Sequence, residues 1–315
     1  MKTVILDAKA LNPGDLSWDD FKALGELEVY QKTAPCEVVE RAENAEIVIT
    51  NKVVIGKAEM EQLPKCRYIG VLATGYNVVD IDEAKKRGIA VTNVPAYSTD
   101  SVAQLVFALL LESEHRVARH NELAHGTWEK HDMFCLYESP LFKLAGKTFG
   151  IFGYGSIGTA VAKIAKAFGM RVIVYSRTKK DDSTVEWVDK DTLFRESDYL
   201  SLHCPLTPET DKLINKDTIA LMKDGAVIIN TTRGGTVDEQ AVADALRSGK
   251  LRAFLADVLS TEPPKADNPL LSAPNCIITP HIAWATIEAR SRLMKEAFLN
   301  AKAFTEGEKR NVINL

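Results

Sequence analysis

At 315 residues the chain has room for one or two domains, and 46% hydrophobic with 26% charged residues is the balance of a globular protein. A net charge of −4 implies no basic face for nucleic acid, and no apolar run is long enough to span a bilayer. Cys36, Cys66, Cys135, Cys204 and Cys276 are scattered and never form C-x-x-C, which argues against a disulfide frame or zinc site and fits reduced thiols in a cytoplasmic protein.

The start, Met1 to Asp7, reads as a short strand that soon meets an acid, without the apolar length or cleavage site of a signal peptide. Residues 3–7, 46–50, 68–73 and 90–94 are β-rich apolar runs. Between them Ser17-Trp18-Asp19-Asp20 opens a helix stopping near Gly25, and residues 57–63 and 80–87 read as helices, the last closed by Gly88. Such alternation implies a parallel sheet covered on both faces. Ser101 and Gln104 form a capping box, from which a long apolar helix runs to about Arg119 and links two lobes. His115, His120 and His125 recur every five residues, so they spread around that helix and no metal site is expected. Residues 126–144 are irregular and aromatic, with Trp128, Phe134 and Tyr137. They suit a dimer arm, an active-site rim or a loop packed on its own chain.

The second lobe opens near Lys147. Residues 148–152 read as a buried strand and run into Gly153-Tyr154-Gly155-Ser156-Ile157-Gly158. In this G-x-G-x-x-G, Gly153 permits a tight turn, Gly155 lets backbone approach a pyrophosphate, and Gly158 lets helix and strand pack closely. The helix from Ser156 to Phe168 aims its N-terminal N–H groups at that phosphate, Gly169 stops it, and residues 171–176 form the next strand. Strands at 198–203, 226–230, 253–257 and 276–279, with helices between, complete a six-strand doubly wound pattern; the helix over 238–248 is stopped by Gly249. A long amphipathic helix over 287–304 follows and is expected to return to the first lobe. The expected fold is α/β: two doubly wound parallel-sheet lobes with a cleft between. Residues 1–98 plus 284–315 form a discontinuous, flavodoxin-like substrate domain, and 99–283 a Rossmann dinucleotide-binding domain.

Ligands of open α/β sheets sit beyond the carboxyl ends of the strands. Arg233, in Thr231-Thr232-Arg233-Gly234-Gly235, lies at such a place, as do Asp257, Glu262 before Pro263 and Pro264, and His281 after Pro280. An arginine can grip the carboxylate and ketone of a 2-oxo acid in one plane and polarise the ketone. His281 can give a proton to the new alkoxide, and Glu262 can hold the other ring nitrogen. Asp257 can accept from the carboxamide of a nicotinamide, and Thr74-Gly75 can offer backbone N–H groups to the substrate carboxylate.

Five stretches together resemble the D-isomer-specific 2-hydroxyacid dehydrogenase family along the whole chain. They are Ala73-Thr74-Gly75-Tyr76-Asn77, the glycine-rich turn, His203-Cys204-Pro205-Leu206-Thr207-Pro208-Glu209-Thr210, Asn230-Thr231-Thr232-Arg233-Gly234-Gly235, and Pro280-His281-Ile282-Ala283-Trp284-Ala285-Thr286. The resemblance implies Arg233, Glu262 and His281 as the catalytic set, and a homodimer. It implies cofactor contacts from Gly153 through Gly158, Ser176, Arg177, Thr178, His203, Cys204, Pro205, Thr210, Thr231, Thr232, Arg233, Asp257, His281 and Ala283. Substrate contacts would come from Thr74, Gly75, Arg233, His281 and Trp284. The run from His281 to Thr286 is most similar to the glycerate dehydrogenase (hydroxypyruvate reductase) branch, which implies hydroxypyruvate or glyoxylate reduced to D-glycerate or glycolate. A dehydrogenase for another D-2-hydroxy acid, or a nicotinamide-sensing regulatory protein of the same fold, is the alternative.

One position departs from the family pattern. NAD sites place an acid at the end of the second strand, to bind the ribose 2′-OH. Here Ser176 stands there, followed by Arg177-Thr178-Lys179-Lys180, a hydroxyl and cations that suit a 2′-phosphate. NADP(H) is therefore favoured and NAD(H) is the alternative, with Asp181 and Asp182 as acids that could neutralise the lysines.

Overall fold

Strands β1 (Lys2–Ile5), β2 (Glu26–Val29), β3 (Ile47–Thr50), β4 (Tyr68–Val71) and β5 (Ala90–Thr92) pair in parallel in the order β2-β1-β3-β4-β5 in a computed structural model that describes residues 1–314. This is the flavodoxin-like order. The runs Ile47-Val48-Ile49 and Tyr68-Ile69 are wholly buried, as strands covered on both faces must be. β2 has no counterpart among the expected strands: it is an edge strand whose Glu26-Leu27-Glu28-Val29 alternates charged and apolar residues over too short a span to signal pairing. These strands belong to one unit, Met1–Ser98 with Ala285–Leu315. Within it the helix Ile287–Thr305 lies on the sheet. Its Phe304 ring is 5.0 Å from Tyr68, its Phe298 is 5.7 Å from Phe21, and Asn300 Nδ2 donates to the Asn93 carbonyl at 3.0 Å.

The other unit, Thr99–Trp284, carries β6 (Thr148–Phe152), β7 (Arg171–Tyr175), β8 (Glu186–Trp187), β9 (Tyr199–Leu202), β10 (Ala226–Asn230), β11 (Leu251–Ala256) and β12 (Cys276–Ile278). All pair in parallel in the order β12-β11-β10-β9-β6-β7-β8, a Rossmann sheet whose winding reverses between β6 and β9. Among the described residues it has seven strands where the sequence pattern predicts six, because β8 is a two-residue edge strand with no periodicity to read.

The helix expected to start from a Ser101 capping box starts instead at Thr99, which puts Ser101 inside its first turn. It ends at His115; Arg116 has φ +46°, and a second helix spans Val117–Gly126. The break falls where burial ends: Val106, Phe107, Leu109 and Leu110 are buried, whereas residues 115–119 are exposed. Far from being a bare link, the first of these helices joins the core of its unit, with Phe107 stacked on Phe149 at 5.8 Å and on Phe168 at 5.4 Å. Among the described residues no helix is long and apolar enough to cross a membrane.

Candidate active site

The parallel register lines up the carboxyl ends of the second sheet. Gly153 N–H donates to the Tyr175 carbonyl at 2.7 Å, and His203 N–H to Phe152 at 2.8 Å. Asp257 N–H donates to Asn230 at 3.0 Å and Thr279 N–H to Ala256 at 2.9 Å. The loops that follow β6, β7, β9, β10, β11 and β12 therefore leave from one end of one sheet.

The glycine-rich turn divides its labour. Gly153 has φ +98°, and a Cβ there would lie 2.6 Å from the His203 carbonyl oxygen. A Cβ on Gly158 would lie 2.3 Å from the Gly153 carbonyl oxygen, whereas Gly155 has nothing within 4 Å. The outer glycines are thus demanded by the turn, and the middle one faces open space. Gly155 is the N-cap of the helix Ser156–Ala167 and supplies no side-chain cap, so the first N–H groups are left for an anion. A dinucleotide pyrophosphate fits this cradle. Beyond β7, Ser176 is half-buried, while Arg177, Thr178, Lys179 and Lys180 are exposed.

Around β9 the expected contacts are mostly tied down. His203 Nε2 lies 2.8 Å from Ser201 Oγ, and its Nδ1 is sealed from solvent without a partner among the described residues. Burial pushes this imidazole down to a pKa of about 3. Burial also pushes the Cys204 thiol up to about 11, which keeps it an apolar filler. The Thr210 hydroxyl donates to the Pro205 carbonyl at 2.6 Å and accepts the Thr207 N–H at 2.8 Å, closing that loop. Thr232 Oγ1 donates to Asn230 Oδ1 at 2.9 Å, and the Thr231 hydroxyl is buried without a partner among the described residues.

A half-buried histidine held neutral makes stability depend on pH. The unfolded chain binds a proton near pH 6.5 that the folded ring refuses until about pH 3. Stability is therefore retained above pH ~6.5 and lost as the pH falls through that window, by at most ~1.4 kcal/mol per pH unit. In urea unfolding at pH 7 and pH 5, His203→Asn should remove about 2 kcal/mol of this loss. An unchanged pH slope would show that His203 does not carry it.

His281 has φ +55°, a left-handed conformation that is strained for any residue with a side chain. Asp257 holds it there. The Asp257 carbonyl accepts His281 N–H at 2.9 Å. Its carboxylate accepts Ile282 N–H at 2.9 Å, Ala283 N–H at 2.8 Å and the Thr279 hydroxyl at 2.6 Å. Trp284 Nε1 donates to the His281 carbonyl at 2.9 Å and braces the same loop. Asp257 is 1% exposed, and burial raises its pKa against the pull of these hydrogen bonds. The carboxylate expected to meet a nicotinamide carboxamide is thus engaged by the histidine's own loop. That use was not legible, because most of its donors are main-chain groups. Asp257→Ala would strand two amides and a hydroxyl, at about 2–5 kcal/mol in total. A melting temperature within a degree or two of the parent would contradict the clamp.

The imidazole's Nδ1–H donates to Glu262 Oε2 at 2.6 Å, and Glu262 Oε1 accepts Leu259 N–H at 3.0 Å. Both side chains are about one-third exposed, so the pair reaches solvent without being swamped by it. A Cβ on Gly234 would lie 1.9 Å from the Leu259 carbonyl carbon, so Arg233's loop presses on the segment that Glu262 also holds. Arg233 is exposed; Nη1 donates to the Thr232 carbonyl at 2.7 Å, and the rest of the guanidinium has no partner among the described residues. Arg233, Glu262 and His281 therefore sit on contiguous loops. In the first unit, Thr74 and Gly75 follow β4, with the Thr74 hydroxyl donating to the Val94 carbonyl at 2.9 Å. Among the described residues no cluster of three or more His, Cys, Asp or Glu could hold a metal.

Residues 107–283 match the family model for the D-isomer specific 2-hydroxyacid dehydrogenase, NAD binding domain. The chain is 50% identical over 321 residues to a hydroxypyruvate reductase of Blautia hydrogenotrophica, covering 100% of both. It is 39% identical over 316 residues to a glycerate dehydrogenase of Methylorubrum extorquens, covering 99% of this chain and 98% of the relative. Among solved structures, an acyclic imino acid reductase in complex with NADPH and D-Arg is similar at a TM-score of 0.86 and 31% identity, covering 99% of this chain and 100% of that one.

Proposed function

The chain belongs to the D-isomer specific 2-hydroxyacid dehydrogenase family and is a nicotinamide-dependent oxidoreductase, and from that premise we propose that it reduces hydroxypyruvate to D-glycerate, with glyoxylate as a second substrate. The observation that carries the reading is the His281–Glu262 pair at 2.6 Å on a loop contiguous with that of Arg233. The names of the full-length relatives support this choice among small 2-oxo acids.

A bound dihydronicotinamide supplies the hydride. Gly153 through Gly158 and the helix beginning at Ser156 would hold its pyrophosphate. Arg233 grips the substrate carboxylate and ketone as a planar fork and draws electron density from the carbonyl. Glu262 takes the Nδ1–H of His281, so Nε2 is the nitrogen that carries the transferable proton. His281 passes that proton to the carbonyl oxygen as it becomes an alkoxide, and takes it back in the oxidative direction. The first unit serves as the substrate domain, with Thr74 and Gly75 offering main-chain N–H groups to the carboxylate. The second serves as the dinucleotide domain.

The preferred cofactor is NADP(H). Ser176 stands where an acid would repel a 2′-phosphate, and among the described residues Arg177, Lys179 and Lys180 have no carboxylate within ion-pair distance. The NADPH of the similar imino acid reductase supports this reading. The test is turnover of hydroxypyruvate, glyoxylate, pyruvate and longer 2-oxo acids with each cofactor. The highest kcat/KM is expected for hydroxypyruvate with NADPH. No oxidation of NADPH or NADH with any acid would overturn the assignment.

The working form is a homodimer. Met133, Phe134 and Tyr137 are 60%, 94% and 65% exposed along one irregular segment, an apolar surface that a second copy would cover. Light scattering should give twice the chain mass, and Phe134→Asp should shift it towards a single chain; a monomeric parent protein would refute the dimer. Its cysteines, all unpaired, suit the reducing cytoplasm.

A further inference from the structure

The loop after β7 is closed around one carboxylate. Asp182 Oδ1 accepts the N–H and hydroxyl of Thr184 at 2.8 and 2.6 Å. Its Oδ2 accepts the Tyr154 hydroxyl at 2.7 Å, and its carbonyl accepts Trp187 Nε1–H at 3.2 Å. Lys166, from the helix Ser156–Ala167, donates to Thr184 Oγ1 at 2.6 Å. Tyr154 stands between Gly153 and Gly155, is 3% exposed, and meets the Trp187 ring edge-on at 5.3 Å. Hydrogen bonds from Thr184, then Tyr154, hold Asp182 down at about 2, so it is an acceptor at any working pH. Burial first, and then this carboxylate, push Tyr154 up to about 12, so it is always the donor.

Asp182 therefore spends its charge on Tyr154 and Thr184 and pairs with neither lysine. Lys180 Nζ lies 5.6 Å from the Tyr154 ring centre and Lys179 Nζ 5.9 Å from that of Trp187. The rings at the two ends of the latch thus also carry the cations.

We propose that Tyr154 is a positioning residue for cofactor selectivity: its bond to Asp182 ties the loop after β7 to the glycine-rich turn, so that Ser176, Arg177, Lys179 and Lys180 are held ready for the 2′-phosphate of NADP(H). This rests on the NADP(H) reading above. Without the latch the loop must be ordered at each binding event, and that cost falls on the phosphate contacts. NADH lacks the 2′-phosphate and draws little from those contacts.

The test is the dissociation constant of NADPH and of NADH, by titration calorimetry, for the parent, Tyr154→Phe, Asp182→Asn and the double variant. Tyr154→Phe keeps the buried ring and should weaken NADPH by about 5–10-fold, less than the full worth of one charge-assisted hydrogen bond because the loop can still be ordered on binding, and NADH by less than about twofold. Asp182→Asn should weaken NADPH similarly, and the double variant should be no weaker than either single one. If Asp182 only offset the cations, Asp182→Asn would instead strengthen NADPH, and that result would overturn the proposal. Equal weakening of both cofactors would mark Tyr154 as merely structural and would also overturn it. A parent that binds NADPH no tighter than NADH overturns the cofactor reading and the latch together. A parent that prefers NADPH, with the same preference kept in Tyr154→Phe, overturns the latch alone.

Discussion

His281→Ala should lower kcat for reduction of the 2-oxo acid by about 10²–10⁴-fold, the range for loss of a positioned general acid. Cofactor affinity should stay within about twofold, because the variant leaves the glycine-rich turn and the pyrophosphate cradle untouched. The comparison variant is Glu262→Gln. Its amide can still meet Nδ1 at the position of Oε2, 2.6 Å away in the parent, but without the charge. Its loss of kcat should be the smaller of the two, because the ring keeps a hydrogen-bond partner at Nδ1. Pre-steady-state turnover with both cofactors reads the chemical step directly. Equal kcat for His281→Ala and the parent would remove His281 from proton transfer.

Arg233→Ala carries the second large expected effect. Among the described residues most of the Arg233 guanidinium has no partner, apart from one bond to the Thr232 carbonyl. Loss of two charge-assisted hydrogen bonds to substrate, at about 1.5–3 kcal/mol each, lowers kcat/KM by roughly 10²–10⁴-fold. Arg233→Lys should recover little of it, since an ammonium cannot span a carboxylate and ketone as a planar fork. The cofactor dissociation constant separates this from general damage: it should barely move in either variant. A kcat/KM for Arg233→Lys close to that of the parent would leave only a point charge to explain.

Much of the architecture was legible because its signals are local. The order strand, glycine turn, helix, Gly169 and strand can be read from adjacent residues, and Gly249 stops its helix as expected, while Asp238, expected as the first helical residue, is its N-cap. The strands that went unread, β2 and β8, are edges of four and two residues, too short for a period of two to declare itself. The helix break at Arg116 was invisible for another reason. Neither glycine nor proline marks it, and it follows from where the buried face of the preceding helix ends. At the site, residue types at strand ends pointed to arginine, glutamate and histidine chemistry. What each side chain touches did not follow. Tyr154 and Asp182 are 28 positions apart, and Asp257 meets Ile282 and Ala283 through amides that every residue but proline has.

That last property gives the histidine loop evolutionary latitude. The clamp recognises main-chain N–H groups at positions 282 and 283, so it sets no demand on the side chain at the exposed position 282 beyond excluding proline, whereas Ala283 is also held by burial. Ile282 is 45% exposed and can be exchanged without moving the imidazole. Selection can thus rewrite the residue beside His281 to suit a different acid, while the proton donor stays where Asp257 and Glu262 put it.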